Sequence, residues 1–149
     1  MTAQILIHRL HPAAVVPKRA HPGDAGLDLC SIEEVELEPG ERGAVGTGLA
    51  LALPAGFVAL VHPRSGLALR AGITVVNSPG TIDAGYRGEL RVLLVNLGQE
   101  PWRCQPGECI AQLVIMELPP VAVVEVSALP GTHRGAAGFG STDSAPSIG

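Results

Sequence analysis

The chain has 149 residues, a length typical of one compact domain, and 46% of them are hydrophobic, which is enough for a sizeable core. The formal net charge is -4 and the 10 Lys and Arg residues are scattered, so the sequence excludes polymeric nucleic acid and an anionic membrane as expected partners. Its three cysteines have no paired CxxC spacing, which argues against a disulfide framework and a structural zinc site and favours a reducing, cytoplasmic compartment.

The first segment, residues 1–17, places His8, Arg9 and His11 among its apolar residues. A secretory signal peptide needs a continuous apolar stretch and a small-residue cleavage site, and this segment has neither. No other run approaches the length of a membrane-spanning helix. We therefore expect neither a secretion signal nor a membrane anchor in this sequence.

Short apolar runs bounded by Gly, Pro, Asp or Asn recur along the chain. The 19 glycines and 13 prolines interrupt every long helical period, apart from a short one at residues 65–71. This pattern predicts an all-β sandwich, jelly roll or barrel with about one helical turn near residues 67–70. The predicted strands are residues 5–10, 27–32, 43–53, 56–62, 74–77, 90–97, 110–118 and 121–126.

The first polar motif lies at residues 22–29, where Asp28 interrupts a strand that otherwise looks buried. A buried carboxylate needs a partner. An arginine in a structural ion pair would serve, and so would a Mg²⁺ ion whose other ligands are phosphate oxygens and water. The residues alone leave both possibilities open.

The second motif, residues 62–68, is a strand end that runs into a turn and a short helical segment. Its small residues expose backbone N–H groups, Ser65 adds a hydroxyl and Arg64 adds a positive charge, which together are the parts of a polyphosphate cradle. A plain helix N-terminus with a surface arginine would use the same residues, so this choice also stays open.

The third motif, residues 77–89, holds one carboxylate and one aromatic ring in a turn rich in glycine and proline. Apolar runs at residues 73–76 and 90–95 flank it and predict a long hairpin. Glycines in the turn permit positive φ or close approach to a ligand, so Asp83 and Tyr86 are expected to project from a constrained loop. An ordinary solvent-facing turn could also contain Asp-Ala-Gly, but a ring in a chain with only 3% aromatic residues favours a ligand site.

Two further segments carry candidate polar groups. Gln112 lies in the apolar strand around residues 107–113, where its amide is either a satisfied core group or a ligand contact. Residues 130–149 have too few apolar groups to order by themselves, which predicts a mobile tail after a folded domain of residues 1–129. Arg134 and Phe139 suit a lid that orders over a ligand, although a frayed C-terminus is the plainer alternative.

Taken in order, these segments resemble the five motifs of the trimeric deoxyuridine triphosphate nucleotidohydrolases, the dUTPases. The resemblance spans nearly the whole chain, and its second and third motifs are highly specific. The motifs read A-G-L-D-L at 25–29, P-R-S-G-L-A at 63–68, G-T-I-D-A-G-Y-R-G-E at 80–89, R-C-Q-P-G-E-C-I-A-Q-L at 103–113 and R-G-A-A-G-F-G-S-T at 134–142.

The resemblance implies a distorted jelly-roll-like β-barrel or sandwich with one short helix, assembled as a homotrimer with active sites shared between subunits. It implies that Asp83 activates a water that attacks the α-phosphorus of dUTP, giving dUMP and pyrophosphate with Mg²⁺ as cofactor. By the same analogy the reaction limits uracil incorporation into DNA and supplies dUMP for dTMP synthesis.

The resemblance also implies roles for individual side chains. Asn77 and the backbone of residues 80–86 would contact the uracil edge, and Tyr86 would lie under the deoxyribose and exclude a 2'-hydroxyl. Asp28 would order waters around the Mg²⁺, and the tail of residues 130–149 would close as a lid with Phe139 on the uracil. The implied substrate-binding residues are Arg64, Ser65, Gly66, Asn77, Gly80, Thr81, Ile82, Tyr86, Gln112, Arg134, Gly138, Phe139, Gly140, Ser141 and Thr142.

The tail departs from the family pattern at two positions, where Ala137 and Asp143 stand in place of glycines. Ala137 removes easy access to positive φ if that position needs it. Asp143 adds a negative charge near the expected γ-phosphate, although solvent screens that repulsion if the side chain points outward. Both changes bear on lid closure, and neither touches the residues expected to do chemistry.

Three other functions compete with this one. The related dCTP deaminases share the fold and trimer but attack the base from a glutamate-centred site, whereas D-A-G-Y at residues 83–86 matches the hydrolases. A nucleotide-sensing module would keep the pocket without turnover, and binding without hydrolysis at an intact Asp83 would support it. A purely structural β-sandwich would leave the glycine-rich loops and the tail aromatic unexplained.

Overall fold

A computed structural model describes residues 2–139 of the chain. These residues form eleven short strands and one helix, which confirms the all-β prediction and the single short helix. The elements are β1 (Leu6–Arg9), β2 (Gly26–Cys30), β3 (Val35–Leu37), β4 (Arg42–Gly46), β5 (Leu49–Ala52), β6 (Phe57–His62), α1 (Ser65–Ala71), β7 (Ile73–Val75), β8 (Gly80–Asp83), β9 (Arg91–Asn96), β10 (Trp102–Cys104) and β11 (Cys109–Glu117).

The strands form antiparallel sheets that pack around one core, as expected for a jelly-roll-like sandwich. The largest sheet has the order β2-β11-β6-β8 and the next has the order β4-β9-β7, while β1 pairs with β5 and β10 with β3. Alternating side chains of the two larger sheets meet in a single apolar cluster. Fully buried members of this cluster are Leu29, Val45, Leu49, Ile73, Val92, Leu94, Ile110 and Leu113.

Three strands escaped the sequence prediction because they are very short or lie inside a motif interpreted as a loop. Both β3 and β10 have three residues each, and the exposed charges of Glu36 and Arg103, which pair across them at 2.8 Å, hide their apolar alternation. The third is β8, which lies within the long hairpin of β7 and β9 but pairs with β6 of the other sheet. The hairpin is therefore confirmed, and its loop contains a strand.

The predicted strand at residues 121–126 is absent from the structure. Residues 118–130 are exposed throughout, and Val123 is 99% exposed. A strand needs a neighbouring edge for its backbone N–H and C=O groups, and within residues 2–139 no strand lies beside this segment. Apolar content alone could not reveal that the chain offers it no pairing partner.

Helix α1 begins directly after β6 and turns the chain into β7. Arg64 is still extended, at φ -98° and ψ 126°, and the helix ends at Gly72, whose φ of 67° is left-handed. A Cβ at Gly72 would also come within 2.5 Å of the backbone nitrogen of Gly98. Both the left-handed φ and this close approach therefore require glycine at this position. In the part of the chain that the structure describes, no helix is long and apolar enough to cross a membrane.

Candidate functional site

The register of the largest sheet brings three of the sequence motifs together. Asp28 on β2 pairs with Gln112 on β11, which pairs in turn with His62 at the end of β6. Directly paired residues point to the same face of a sheet. The chain leaves β6 at His62, so residues 63–66 start beside Asp28 and Gln112. The first, second and fourth motifs therefore form one site.

Contacts in this site bear on two questions that the sequence left open. Arg64 Nε lies 3.6 Å from Asp28 Oδ1, so the carboxylate has an arginine partner. The two side chains are 38% and 36% exposed, so solvent weakens this ion pair. Arg64 Nη1 also donates to the carbonyl of Cys109 at 2.8 Å, and Gln112 Nε2 donates to the carbonyl of Pro63 at 2.9 Å. Gln112 Nε2 thus has a partner within the protein, and the side chain remains beside the cavity.

We call this cavity of about 480 Å³ the arginine pocket. Sequence reasoning missed Arg70, which follows Gly66 by one helical turn and places Nη1 3.0 Å from where a Cβ on Gly66 would lie. Its spacing on the short predicted helix was the available signal. The pocket is lined by Ala20, Asp24, Ala25, Gly26, Asp28, Arg64, Ser65, Gly66, Leu67, Arg70 and Gln112.

Gly26 fixes Gln112 in the arginine pocket. A Cβ at Gly26 would collide with Gln112 Oε1 and approach its Cδ to 3.1 Å. The amide can therefore lie flat against β2 while it donates to Pro63 only because this position has no side chain.

A second cavity, of about 270 Å³, lies at the third motif, and we call it the hairpin pocket. Asp83 ends β8 and is exposed, as the sequence predicts, and its carbonyl accepts the N–H of Tyr86 at 3.1 Å in a tight turn. The pocket is lined by Asn77, Gly80, Thr81, Ile82, Asp83, Tyr86, Glu89, Leu90, Arg91 and Leu93.

Tyr86 is held in a defined position in the hairpin pocket. Its hydroxyl donates to the carbonyl of Glu89 at 3.0 Å. The ring lies so close to Gly88 that a Cβ there would come within 2.7 Å of Tyr86 Cζ. The ring therefore rests on bare backbone, while about half of it stays exposed to the pocket.

Charged groups that the sequence analysis did not single out support the end of this hairpin. Glu89 Oε1 accepts the N–H of Gly48 at 3.0 Å, and Glu89 Oε2 lies 4.0 Å from Arg91 Nη1. Arg91 in turn donates to the carbonyl of Ala44 at 2.7 Å. The final E of the third motif was the available signal for Glu89, because a carboxylate at the base of a glycine-rich turn can bind backbone N–H groups.

The two pockets are well separated within one chain. Asp28 shares a row of the sheet with His62, whereas Asp83 pairs with Val58, four residues before His62 on β6. Because β2 and β8 are the two edges of a four-stranded sheet, Asp28 and Asp83 lie about 20 Å apart, from strand spacings of about 4.8 Å and a rise of about 3.4 Å per residue.

The start of the fifth motif lies in neither pocket. Arg134 Nε donates to the carbonyl of Ala137 at 3.0 Å, and Phe139 is fully exposed. Phe139 has a φ of 49°, whereas Ala137 is not among the described residues with positive φ, so its replacement of a glycine causes no backbone strain here. Three predicted lid residues and the charge change lie outside the described residues: Gly140, Ser141, Thr142 and Asp143.

The carboxylate side chains of the two pockets are too few to bind a metal ion by themselves and would need oxygen atoms of a bound substrate to complete its coordination. Within residues 2–139 no three His, Cys, Asp or Glu side chains gather in a cage. Mg²⁺ commonly keeps several waters and uses one or two carboxylates together with substrate phosphates. Asp28, partly exposed in the arginine pocket, fits that manner of binding.

Comparison with known proteins assigns the family. A family model described as dUTPase matches residues 13–143. The chain is 55% identical over 139 residues to a deoxyuridine 5'-triphosphate nucleotidohydrolase of Nocardia farcinica, covering 93% of this chain and 84% of that protein.

Solved structures agree with this assignment. The G164S mutant of the dUTPase of Staphylococcus bacteriophage 80alpha with dUpNHpp superimposes with a TM-score of 0.88 at 30% identity, covering 95% of this chain and 99% of that one. A mutant dUTPase from phage phi11 of S. aureus, which coordinates a structural Mg(II) ion, gives a TM-score of 0.79 at 27% identity over 86% of this chain and 99% of that one.

Proposed function

The chain belongs to the dUTPase family of nucleotidohydrolases, and on this premise we propose that it hydrolyses dUTP to dUMP and pyrophosphate. The observation that carries the proposal is the hairpin pocket, in which an exposed carboxylate stands beside a fixed aromatic ring. The reaction limits uracil incorporation into DNA and supplies dUMP for dTMP synthesis. We place it in the cytoplasm, because an odd number of cysteines without paired CxxC spacing favours a reducing compartment.

In this proposal Asp83 is the general base. Its carboxylate takes a proton from a water that attacks the α-phosphorus in line with the departing pyrophosphate. The position of Asp83 at the last residue of β8, followed by the tight turn to Tyr86, fixes the carboxylate on rigid backbone. Most of the remaining rate enhancement comes from positioning and from neutralising the triphosphate charge.

The hairpin pocket selects the nucleoside. Asn77 and the backbone of residues 80–86, which include Thr81 and Ile82, contact the uracil edge. Tyr86 lies under the deoxyribose and leaves no room for a 2'-hydroxyl. The support for this role is the fixed ring, which the Glu89 carbonyl and the bare backbone of Gly88 hold in one place.

The arginine pocket binds the triphosphate. Arg64 offers guanidinium N–H groups, Ser65 a hydroxyl and Gly66 a backbone amide, which together suit phosphate oxygens. Gln112 contacts the same region. Asp28 would hold a Mg²⁺ ion through waters, and the ion would supply neutralisation of charge on the triphosphate.

We further propose that each active site combines the hairpin pocket of one subunit with the arginine pocket of another in a homotrimer. The support is the separation of about 20 Å between Asp28 and Asp83 within one chain, too long for one nucleotide to engage both pockets. The exposed apolar residues of the segment 118–130 also favour further association, because a monomer would leave them in water. The tail closes each site, with Arg134, Phe139 and the other predicted lid residues over the nucleotide.

The first experiment is pyrophosphate release by the purified protein with Mg²⁺, comparing dUTP with dTTP, dCTP and UTP. Release confined to dUTP is the expected result. Saturable dUTP binding without release, with Mg²⁺ present, would favour a nucleotide-sensing module and overturn the proposed reaction.

A mixing experiment tests the shared site. Assayed at dUTP concentrations below the wild-type KM, Asp83→Asn chains are expected to be nearly inactive through their low kcat, and Arg64→Ala chains are expected to keep little activity because their KM is raised. When the two are unfolded and refolded together at equal amounts, about three quarters of random trimers contain both, and each mixed trimer has one site with two intact pockets, so about a quarter of wild-type activity returns. If the mixture forms trimers but recovers no activity, sites are not shared between subunits. That result would not affect the proposal that the wild-type protein hydrolyses dUTP.

A further inference from the structure

Two cysteines face each other across the strands that form the arginine pocket. Cys30 on β2 is the register partner of Cys109 on β11. The N–H of Ser31 donates to the carbonyl of Glu108 at 2.9 Å, so the ladder bonds run beside the cysteine pair and not between its members. Side chains approach most closely in non-hydrogen-bonded antiparallel pairs, and here the register of the ladder shifts between Cys109 and Ala111.

The Cys109 thiol also influences the protonation of Cys30. Cys30 is 4% exposed, and its pKa is raised to about 12, first by burial and then by the neighbouring Cys109 thiol. Cys109 is only partly buried and gives solvent access to the pair.

This placement suits a disulfide. Disulfides join Cα atoms that are about 4.4 to 6.8 Å apart, a range that includes directly opposed residues of neighbouring antiparallel strands. A disulfide that solvent can reach is reduced more easily than a buried one, and Cys109 is only partly buried. The third thiol, Cys104, is fully buried on β10 and donates to the carbonyl of Gln105 at 3.4 Å.

We propose that Cys30 and Cys109 form a reversible dithiol–disulfide site that locks β2 to β11 beside the arginine pocket. The lock lies close to the nucleotide site, because Arg64 is anchored on the carbonyl of Cys109, and Asp28 and Gln112 pair further along the same two strands. This inference is independent of the proposed reaction.

The oxidant is a low-molecular-weight disulfide. Cys109, which solvent reaches, attacks one sulfur of that disulfide and releases the other half as a thiol. Cys30 then attacks Cys109 Sγ and releases the second half, so two protein thiols become one disulfide and one small disulfide becomes two thiols. Their two protons end on the released thiols.

Treatment of the full-length protein with glutathione disulfide tests the site. After remaining thiols are alkylated and the protein is digested, mass spectrometry is expected to find a peptide pair joined through Cys30 and Cys109 within one chain. Dithiothreitol is expected to restore both thiols. Because the bond closes a loop of about 80 residues, the oxidised protein is expected to melt about 5 °C or more higher than the reduced one.

Variants give the matched comparison. Cys104→Ala is expected to form the same cross-link as the wild type, whereas Cys109→Ala is expected to form none. The proposal is overturned if Cys30 and Cys109 both stay open to alkylation in unfolded, quenched wild-type protein, or if the cross-links found involve Cys104 or join separate chains. The wild-type mapping requires no variant to fold.

Discussion

The two pockets differ in how the chain builds them. The hairpin pocket comes from one stretch of sequence, residues 77–93, and is shaped by a tight turn and a ring on bare glycine backbone. The arginine pocket comes from segments around residues 24, 64 and 112, which meet only because β2, β11 and β6 pair in one register. A local pocket is therefore encoded in its own motif, whereas the other depends on the fold as a whole.

The pockets also differ in chemistry. In the hairpin pocket the exposed carboxylate of Asp83 and the ring of Tyr86 face a small cavity, while the second carboxylate, Glu89, is paired with Gly48 and Arg91, an arrangement that suits selection and proton transfer. In the arginine pocket two guanidinium groups and a helix start face a larger, polar cavity, which suits the binding of phosphate. The same type of substitution should therefore lower kcat in the hairpin pocket and raise KM in the arginine pocket.

The largest expected effect is that of Asp83→Asn. Loss of a general base should lower kcat about 1,000-fold, while the affinity for dUTP stays within about three-fold because the amide keeps the shape of the carboxylate. Pyrophosphate release at saturating dUTP and calorimetric binding measure the two quantities. The matched change in the other pocket, Asp28→Asn, should instead act mainly on the Mg²⁺ and dUTP concentrations required; equal kcat losses in both variants would erase the distinction.

Arg64→Ala comes second. It removes a charge-assisted donor to phosphate and the contact with the Cys109 carbonyl, so KM for dUTP should rise on the order of 10- to 100-fold. Arg103→Ala is the control, since Arg103 is an exposed arginine paired with Glu36 and lies outside both pockets. Steady-state kinetics should leave the control unchanged. A loss confined to kcat in Arg64→Ala would move this arginine from binding to chemistry.

A smaller effect is expected for Gly88→Ala in the hairpin pocket. The added methyl displaces the Tyr86 ring from the backbone, so the preference for dUTP over UTP should fall about 10-fold. Gly85→Ala lies in the same turn, where a Cβ meets nothing within 4 Å, and should change this preference less than two-fold. The ratio of kcat/KM for the two nucleotides measures the effect, and identical ratios in both variants would show that the ring is not positioned by Gly88.

The smallest effect is expected for Gly26→Ala in the arginine pocket. Its methyl pushes Gln112 away from the Pro63 carbonyl, and one lost hydrogen bond of about 1 kcal/mol corresponds to about a five-fold rise in KM. Gly43→Ala, whose methyl would meet only Leu37 at 3.4 Å, serves as the stability control in thermal melts. Unchanged kinetics in Gly26→Ala would show that Gln112 holds β2 and does not assist binding.

The sequence predicts those features of the fold and site that depend on residues close together in the chain. The projection of Asp83 from the turn and the helix at Ser65–Ala71 follow from nearby glycines, prolines and small residues. The pairing of β8 with β6, the arginine partner of Asp28 and the approach of Tyr86 to Gly88 depend on residues distant in sequence or on atomic spacing. The strand predicted at residues 121–126 is wrong for the same reason. Amino-acid composition does not show whether another strand lies beside a segment and can pair with it.

The position of β11 has a consequence for how the protein is made. It is the last strand of the described chain, yet it lies between β2 and β6 in the centre of its sheet. During synthesis the two earlier strands must leave the ribosome and wait with open edges until Glu117 has emerged. Pairings that span so much sequence form slowly, so the nascent chain is exposed to aggregation in that interval. A chaperone that covers sheet edges should raise the yield more than one that acts on finished chains.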